Sequence, residues 1–89
     1  MKTVHLIITG KVQGVFFRAS AKDTAEKYEV KGWIKNTAGG AVEALITGEP
    51  YNIDEFVNWC KVGPEKAKVD HVAVVQKPKM KFQDFEVLS

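Results

Sequence analysis

The chain has 89 residues, with 13 basic against 11 acidic side chains and a formal net charge of +2. That length holds one hydrophobic core and not two, so a single domain over residues 1–89 is expected, with one layer of helices on one sheet. The near-neutral balance gives no case for nucleic acid or an anionic membrane as the main partner. The single Cys60 excludes an internal disulfide, no apolar run reaches membrane-spanning length, and Met1-Lys2-Thr3 lacks a signal-peptide core, so a cytoplasmic protein is expected.

Thr3 to Thr9 is an apolar, β-branched run in which Val4, Leu6 and Ile8 share one face while Thr3, His5, Ile7 and Thr9 share the other, the pattern of a strand covered on one side. The stretch Gly10-Lys11-Val12-Gln13-Gly14-Val15-Phe16-Phe17-Arg18 follows. Its two glycines allow positive φ, and a helix start beyond them offers unpaired N–H groups, a geometry that suits an anion such as phosphate. Arg18 would add a planar, permanently charged fork. A cation in the first helical turn is disfavoured by the helix dipole by about 0.3–1 kcal/mol, so Arg18 asks for a compensating anion; solvation, or a pair with Asp23 or Glu26, is the ordinary alternative. Phe17, Ala21, Thr24, Ala25 and Tyr28 then recur at helical spacing. Core packing is the ordinary reading for Phe16 and Phe17, and Phe17 belongs to that apolar stripe.

Lys31 to Asn36 reads as a strand, Thr37 to Gly40 as a turn and Ala41 to Thr47 as a returning strand, with Gly39-Gly40 the signal for a tight primed hairpin. Val42, Ala44 and Ile46 would face the helices, leaving Glu43, Leu45 and Thr47 outside. Asn36 closes the first of these strands, and periodicity does not choose between a turn role and a chemical one. Pro50 opens a second helix with Ile53, Phe56, Val57 and Cys60 on one stripe, bordered by Trp59, and Gly63-Pro64 ends it. Cys60 on that stripe reads as a small buried hydrophobe. Val69 to Gln76 is a further strand whose parity slips between Val69 and Val72, the mark of a bulge or a twisted edge. Pro78 breaks it, and Phe82 to Leu88 forms a final short strand with Phe85 and Val87 inward.

The order β-α-β-β-α-β with a small terminal strand predicts an α+β, ferredoxin-like fold, two helices on one face of an antiparallel sheet. Right-handed crossovers would put the Lys11 to Arg18 loop and Asn36 at neighbouring ends of that sheet. The fold alone does not choose a function.

Two motifs do. The chain resembles the acylphosphatase family, whose first signature, G-x-V-Q-G-V-x-[FM]-R, is met at every fixed position by Gly10 to Arg18. The second signature begins G-[FYW]-[AVC]-[KRQAM]-N and continues to G-x-V and a later G; Gly32-Trp33, Lys35-Asn36, Gly40, Val42 and Gly48 fit it. Ile34 departs from the small residue usual there, and Gly39 stands where the family often has an acidic or amide side chain. The resemblance implies hydrolysis of a carboxyl–phosphate mixed anhydride to a carboxylate and inorganic phosphate. It implies a phosphate-binding loop of Val12, Gln13, Gly14, Val15, Phe16, Phe17 and Arg18, with Arg18 on the phosphoryl oxygens and Asn36 orienting the attacking water. Small-molecule acyl phosphate as substrate, inorganic phosphate as product and inhibitor, no cofactor or metal, and a monomer are the corresponding expectations.

The chemistry is consistent with a site that lacks carboxylates. A carboxylate leaving group with a pKa near ~4 departs unprotonated, so no general acid is required. What remains is positioning and stabilisation of charge on the phosphoryl oxygens. His5 and His71, the two histidines, have no partners placed beside them by the sequence. Lys11 and Lys35 flank the motifs and read equally as anion-steering or as ordinary solvated lysines. Two other classes stay open: a non-catalytic module holding a phosphorylated ligand, and an RNA-binding ferredoxin-like domain, for which His5 and Ile7 are poor stacking platforms.

Overall fold

The computed structural model describes residues 1–88. Its elements are β1 (Lys2–Lys11), α1 (Phe17–Lys27), β2 (Lys31–Asn36), β3 (Val42–Gly48), α2 (Pro50–Cys60), β4 (Lys68–Lys77) and β5 (Phe85–Val87), in the order expected from the sequence. The five strands form one sheet in the spatial order β4-β1-β3-β2-β5. Each of the first four is antiparallel to its neighbours among them, and the short β5 runs parallel to β2.

Alternation and helical spacing place the core as expected. Val4, Leu6 and Ile8 of β1, Ile34 of β2 and Val42, Ala44 and Ile46 of β3 are fully buried under the two helices. From α1 the sheet receives Phe17, Ala21 and Ala25; from α2 it receives Ile53, Phe56, Val57 and Cys60. The two alanines let α1 approach the sheet closely, while Phe17 fills the seam between the helices, its ring centroid 5.2 Å from that of Trp59. Burying a ring of that size contributes about 1.5–3 kcal/mol. Ile34, the departure from the family pattern, is thus a core residue. Burial pushes the Cys60 thiol well above its ordinary pKa, and the group behaves as a small hydrophobe.

Three local expectations are corrected, and a fourth, the slip in β4, is met. The β2–β3 connection is not a two-residue primed turn. Thr37 N–H donates to the Ala41 carbonyl at 2.8 Å, Gly40 N–H donates to the Thr37 carbonyl at 3.3 Å, and of the glycine pair only Gly40, at φ 91°, is left-handed. This is a three-residue loop in which a single left-handed position suffices. Thr47, expected outside, is 2 % exposed. Its hydroxyl meets that of Thr3 at 3.0 Å, and Met80 N–H donates to Thr3 Oγ1 at 3.1 Å, so the segment after β4 covers this end of the otherwise open sheet face. The last strand starts at Phe85 rather than Phe82, and Val87, expected inward, is 41 % exposed. The parity slip in β4 is a bulge on an edge strand: Thr9 faces His71 while Gly10 faces Val69, leaving Asp70 as the extra residue.

Candidate active site

The antiparallel pairing of β1 with β3, and of β3 with β2, brings the end of β1 and the end of β2 to the same edge of the molecule. The chain leaves β1 at Lys11, and Val12 and Val15 plug into the core at 1 % and 5 % exposure. Between them Gly14 turns the backbone at φ 72°, and a Cβ built there would meet nothing within 4 Å. The glycine is therefore required by backbone conformation and not by crowding. Phe16 then takes a left-handed conformation, φ 64° and ψ 23°, as the N-cap of α1, with no side-chain cap. The first helical bond runs from Ser20 N–H to the Phe16 carbonyl at 3.0 Å. Among the described residues, none of the main-chain N–H groups from Gly14 to Ala19 donates to a protein acceptor.

A cavity of about 640 Å³ opens on these donors, lined by Val12, Gly14, Phe16, Phe17, Arg18, Ala19, Lys22, Asp23, Asn36 and Val87. The structure thus gathers most of the residues singled out by the sequence and turns two of them elsewhere. Gln13 directs its side chain to the hairpin, where Nε2 donates to the carbonyls of Thr37 (2.9 Å) and Ala41 (2.8 Å), tying the loop to the segment just after Asn36. Val15 is core. Phe16, for which core packing was the ordinary reading, is instead 74 % exposed at the cavity mouth, whereas Phe17 is buried.

Arg18 occupies the second position of α1, whose first turn has no acidic residue. Its Nη1 donates to the Leu88 carbonyl at 2.9 Å, so the guanidinium is anchored by the end of β5 rather than by Asp23 or Glu26. A guanidinium carries five N–H donors in a planar fork, and this bond uses one. Asn36 lines the same cavity, and its Oδ1 is a buried acceptor without a hydrogen-bond partner among the described residues. An orphaned buried acceptor costs about 1–3 kcal/mol unless something fills its lone pairs, which marks the position as one made to receive a donor.

Sequence reasoning missed Ala19, Lys22, Asp23 and Val87 as lining residues. The three helical ones follow from Arg18 by helical spacing, but Val87 arrives through the parallel pairing of β2 with β5, for which a three-residue strand leaves no signal. A neighbouring groove of about 700 Å³ along α1 and β5 shares Lys22 and Val87 with the cavity. Its wall carries Glu26, Glu29, Asp84 and Glu86, carboxylates that repel a phosphate, so of the two the smaller cavity suits an anion better.

The remaining candidates lie on the open face of the sheet. His5 Nε2 stands 2.6 Å from Glu43 Oε2, and Lys35 Nζ is 3.7 Å from Glu43 Oε1 and 5.3 Å from the centroid of the Trp33 ring. Their hydrogen bonds and charge hold the Glu43 carboxyl below its ordinary pKa, with the His5 bond the largest cause. Lys35 is thus engaged with its cross-strand neighbour and not with the cavity. Among the described residues no helix is long and apolar enough to cross a membrane.

The family model for acylphosphatase matches residues 4–87, which include the whole cavity. The chain belongs to the acylphosphatase family. It is 40 % identical over 89 residues to the acylphosphatase of Syntrophus aciditrophicus, covering 99 % of this chain and 93 % of that one. It is 46 % identical over 86 residues to that of Pyrobaculum islandicum, covering 94 % and 90 %. Its backbone is similar to the crystal structure of the Bacillus subtilis acylphosphatase, with a TM-score of 0.96, 31 % identity and full coverage of both chains. The two helices on a five-strand sheet are therefore the ferredoxin-like α+β fold of this family, and the activity that goes with it is hydrolysis of acyl phosphates.

Proposed function

We propose that residues 1–89 work as one acylphosphatase domain that binds the phosphoryl group of its substrate in the loop from Val12 to Arg18 and attacks it with a water held by Asn36. Backbone N–H groups of the loop and the positive end of α1 face the phosphoryl oxygens, and the Arg18 fork closes on them from the helix. Arg18 is presented at a fixed angle because Leu88 holds one of its nitrogens. Asn36 Oδ1 accepts a hydrogen bond from the attacking water and aims its lone pair at phosphorus. The P–O bond to the acyl oxygen breaks as the water oxygen bonds to phosphorus, the carboxylate leaves with the bonding pair, and the water's proton passes to a phosphoryl oxygen. The observation that carries this reading is the partnerless, buried Oδ1 of Asn36 in one cavity with Arg18.

The two side chains are separable by kinetics. Arg18 touches the phosphoryl group in the ground state and in the transition state, so Arg18→Ala should both lower kcat and weaken competitive inhibition by inorganic phosphate. Asn36 touches only the water, so Asn36→Ala should lower kcat by about 10²–10³-fold, the scale of losing one well-placed polar group, with phosphate inhibition near wild type. Phosphate release from acetyl phosphate, with denaturant unfolding as the control for folding, measures both. A folded Asn36→Ala protein with nearly full kcat would return Asn36 to the turn.

A further inference from the structure

A further cavity, of about 300 Å³, lies at the other end of the sheet from the Val12 to Arg18 loop. That volume is at the lower bound of sites that hold small ligands. Here β1, β3 and β2 stand side by side in register at Thr3, Thr47 and Lys31, about 17 Å along β2 from Asn36. The lining is apolar at Met1, Met80 and Phe82 and cationic at Lys31, Lys79 and Lys81. Glu29 is its one carboxylate, so cations outnumber anions three to one. None of the three lysines stands within ion-pair distance of a carboxylate among the described residues. Lys31 and Glu29 also face the acidic groove beside α1, which leaves Lys79 and Lys81 as the cations belonging to this cavity alone. The cavity also offers a buried donor. Met80 N–H donates to Thr3 Oγ1 at 3.1 Å, and Thr3 Oγ1 donates to Thr47 Oγ1 at 3.0 Å. Three donors thus meet in two bonds, and the hydroxyl proton of Thr47, a lining residue only 2 % exposed, has no acceptor among the described residues. A hydroxyl buried in that state is costly unless something in the cavity accepts from it.

We propose that this cavity binds a carboxylate carrying a short apolar chain, the class of compound that hydrolysis of an acyl phosphate releases. The inference does not depend on the roles given to Arg18 and Asn36. One carboxylate oxygen accepts from the Thr47 hydroxyl, while the lysine heads, on flexible stems, gather round the other. The chain lies against Met80 and Phe82, and water leaves both apolar surfaces. Each half of the ligand is needed: a bare anion leaves the apolar wall wet, and a neutral chain leaves the lysines and the hydroxyl without an acceptor of opposite charge.

The test titrates hexanoate into isotope-labelled protein and follows the backbone amide resonances, which report each end of the sheet separately. Shifts that saturate at Thr47, Met80 and Phe82 are expected, and acetate and hexanol at the same concentrations should give much smaller ones. Thr47→Val keeps the shape and removes the hydroxyl, so the dissociation constant for hexanoate should rise about 2- to 10-fold, while Thr47→Ser, which keeps the hydroxyl, should bind like wild type. The double variant Lys79→Gln, Lys81→Gln, at two exposed positions, should raise it by about 2- to 10-fold as well, and it carries the test if Thr47→Val fails to fold. Shifts confined to the Val12 to Arg18 loop overturn the proposal. So do equal shifts with hexanol, or a dissociation constant that is the same in wild type and in the folded variants.

Discussion

The two helices have equal lengths, lie on the same face of the same sheet and both begin without a side-chain cap, yet their first turns are built in opposite ways. At α2, Glu49 approaches in an extended conformation and Pro50 stands at the first helical position, so a negative charge faces the positive end of the dipole and one orphan N–H is absent altogether. At α1, the entering residue is a left-handed phenylalanine, the first turn has no acid, and Arg18 brings a like charge to the dipole. The first solution serves stability and leaves little to bind. The second leaves main-chain donors without acceptors among the described residues and adds a positive charge, as the proposed phosphate site requires, and the fold tolerates it because Val12, Val15 and Phe17 pin the loop to the core on both sides of Gly14.

Exchanging the charges at the two helix starts puts that contrast under the greatest strain. Arg18→Glu relieves the dipole but gives up the bond to Leu88, so stability should change by no more than about 1 kcal/mol, while kcat/KM for acetyl phosphate falls by at least ~100-fold. Added inorganic phosphate should no longer raise the melting temperature. Glu49→Arg should do the reverse, costing about 0.3–1 kcal/mol in denaturant unfolding with kcat/KM unchanged. Equal losses of activity at both helices would dissolve the distinction.

A smaller effect is expected at Gly14, where φ is 72° and the space around a Cβ is empty. Gly14→Val should cost roughly 1–2 kcal/mol in unfolding, from left-handed strain alone, and should weaken phosphate inhibition, because the added methyl groups occupy room on the ligand side of the loop. Intact phosphate affinity in that variant would move the cradle elsewhere.

The smallest effect concerns the open face, which plays no part in either helix start. The folded Glu43 pKa lies below the ordinary value of 4.5, so its contribution is present above that value and disappears as pH falls through the depressed folded one. Unfolding free energies of wild type and Glu43→Gln should therefore differ at pH ~7 and converge at pH ~3, with kcat/KM at neutral pH alike in both. A gap that widened toward acid would contradict the pairing of Glu43 with His5 and Lys35.

How much of this was legible in the sequence follows the physics of each signal. The strand faces, both helices and the β4 bulge were readable, since hydrophobic alternation and helical spacing report which side meets the core. That the Val12 to Arg18 loop and Asn36 meet at one end of the sheet was readable because two glycine-punctuated motifs flank elements whose pairing the crossover rule constrains. Burial by distant chain was not readable: Thr3 and Thr47 are covered by the segment around Met80, and nothing in their own alternation records that neighbour. Val87 failed for the related reason that a parallel strand of three residues has too little pattern to show a face. For Phe16 the misleading cue was its kinship in type with Phe17; the left-handed backbone of Phe16 itself turns its ring to solvent while the next ring enters the seam.

The interior place of β1 has a bearing on the order of assembly. Its partners lie far along the chain, with Lys2 opposite Gly48 on one side and Thr3 opposite Lys77 on the other. Loop closure of that length must precede any reward from pairing, which places such topologies toward the milliseconds-to-seconds end of two-state folding. During synthesis the residues of the Val12 to Arg18 loop emerge early but have no framework to hold them. Only when β4 and β5 have emerged, bringing the second flank of β1 and the anchor for Arg18, do the donors acquire fixed directions. On the proposed mechanism, catalytic competence is therefore a late event in the life of the nascent chain, although nearly all the groups assigned to it are encoded in its first half.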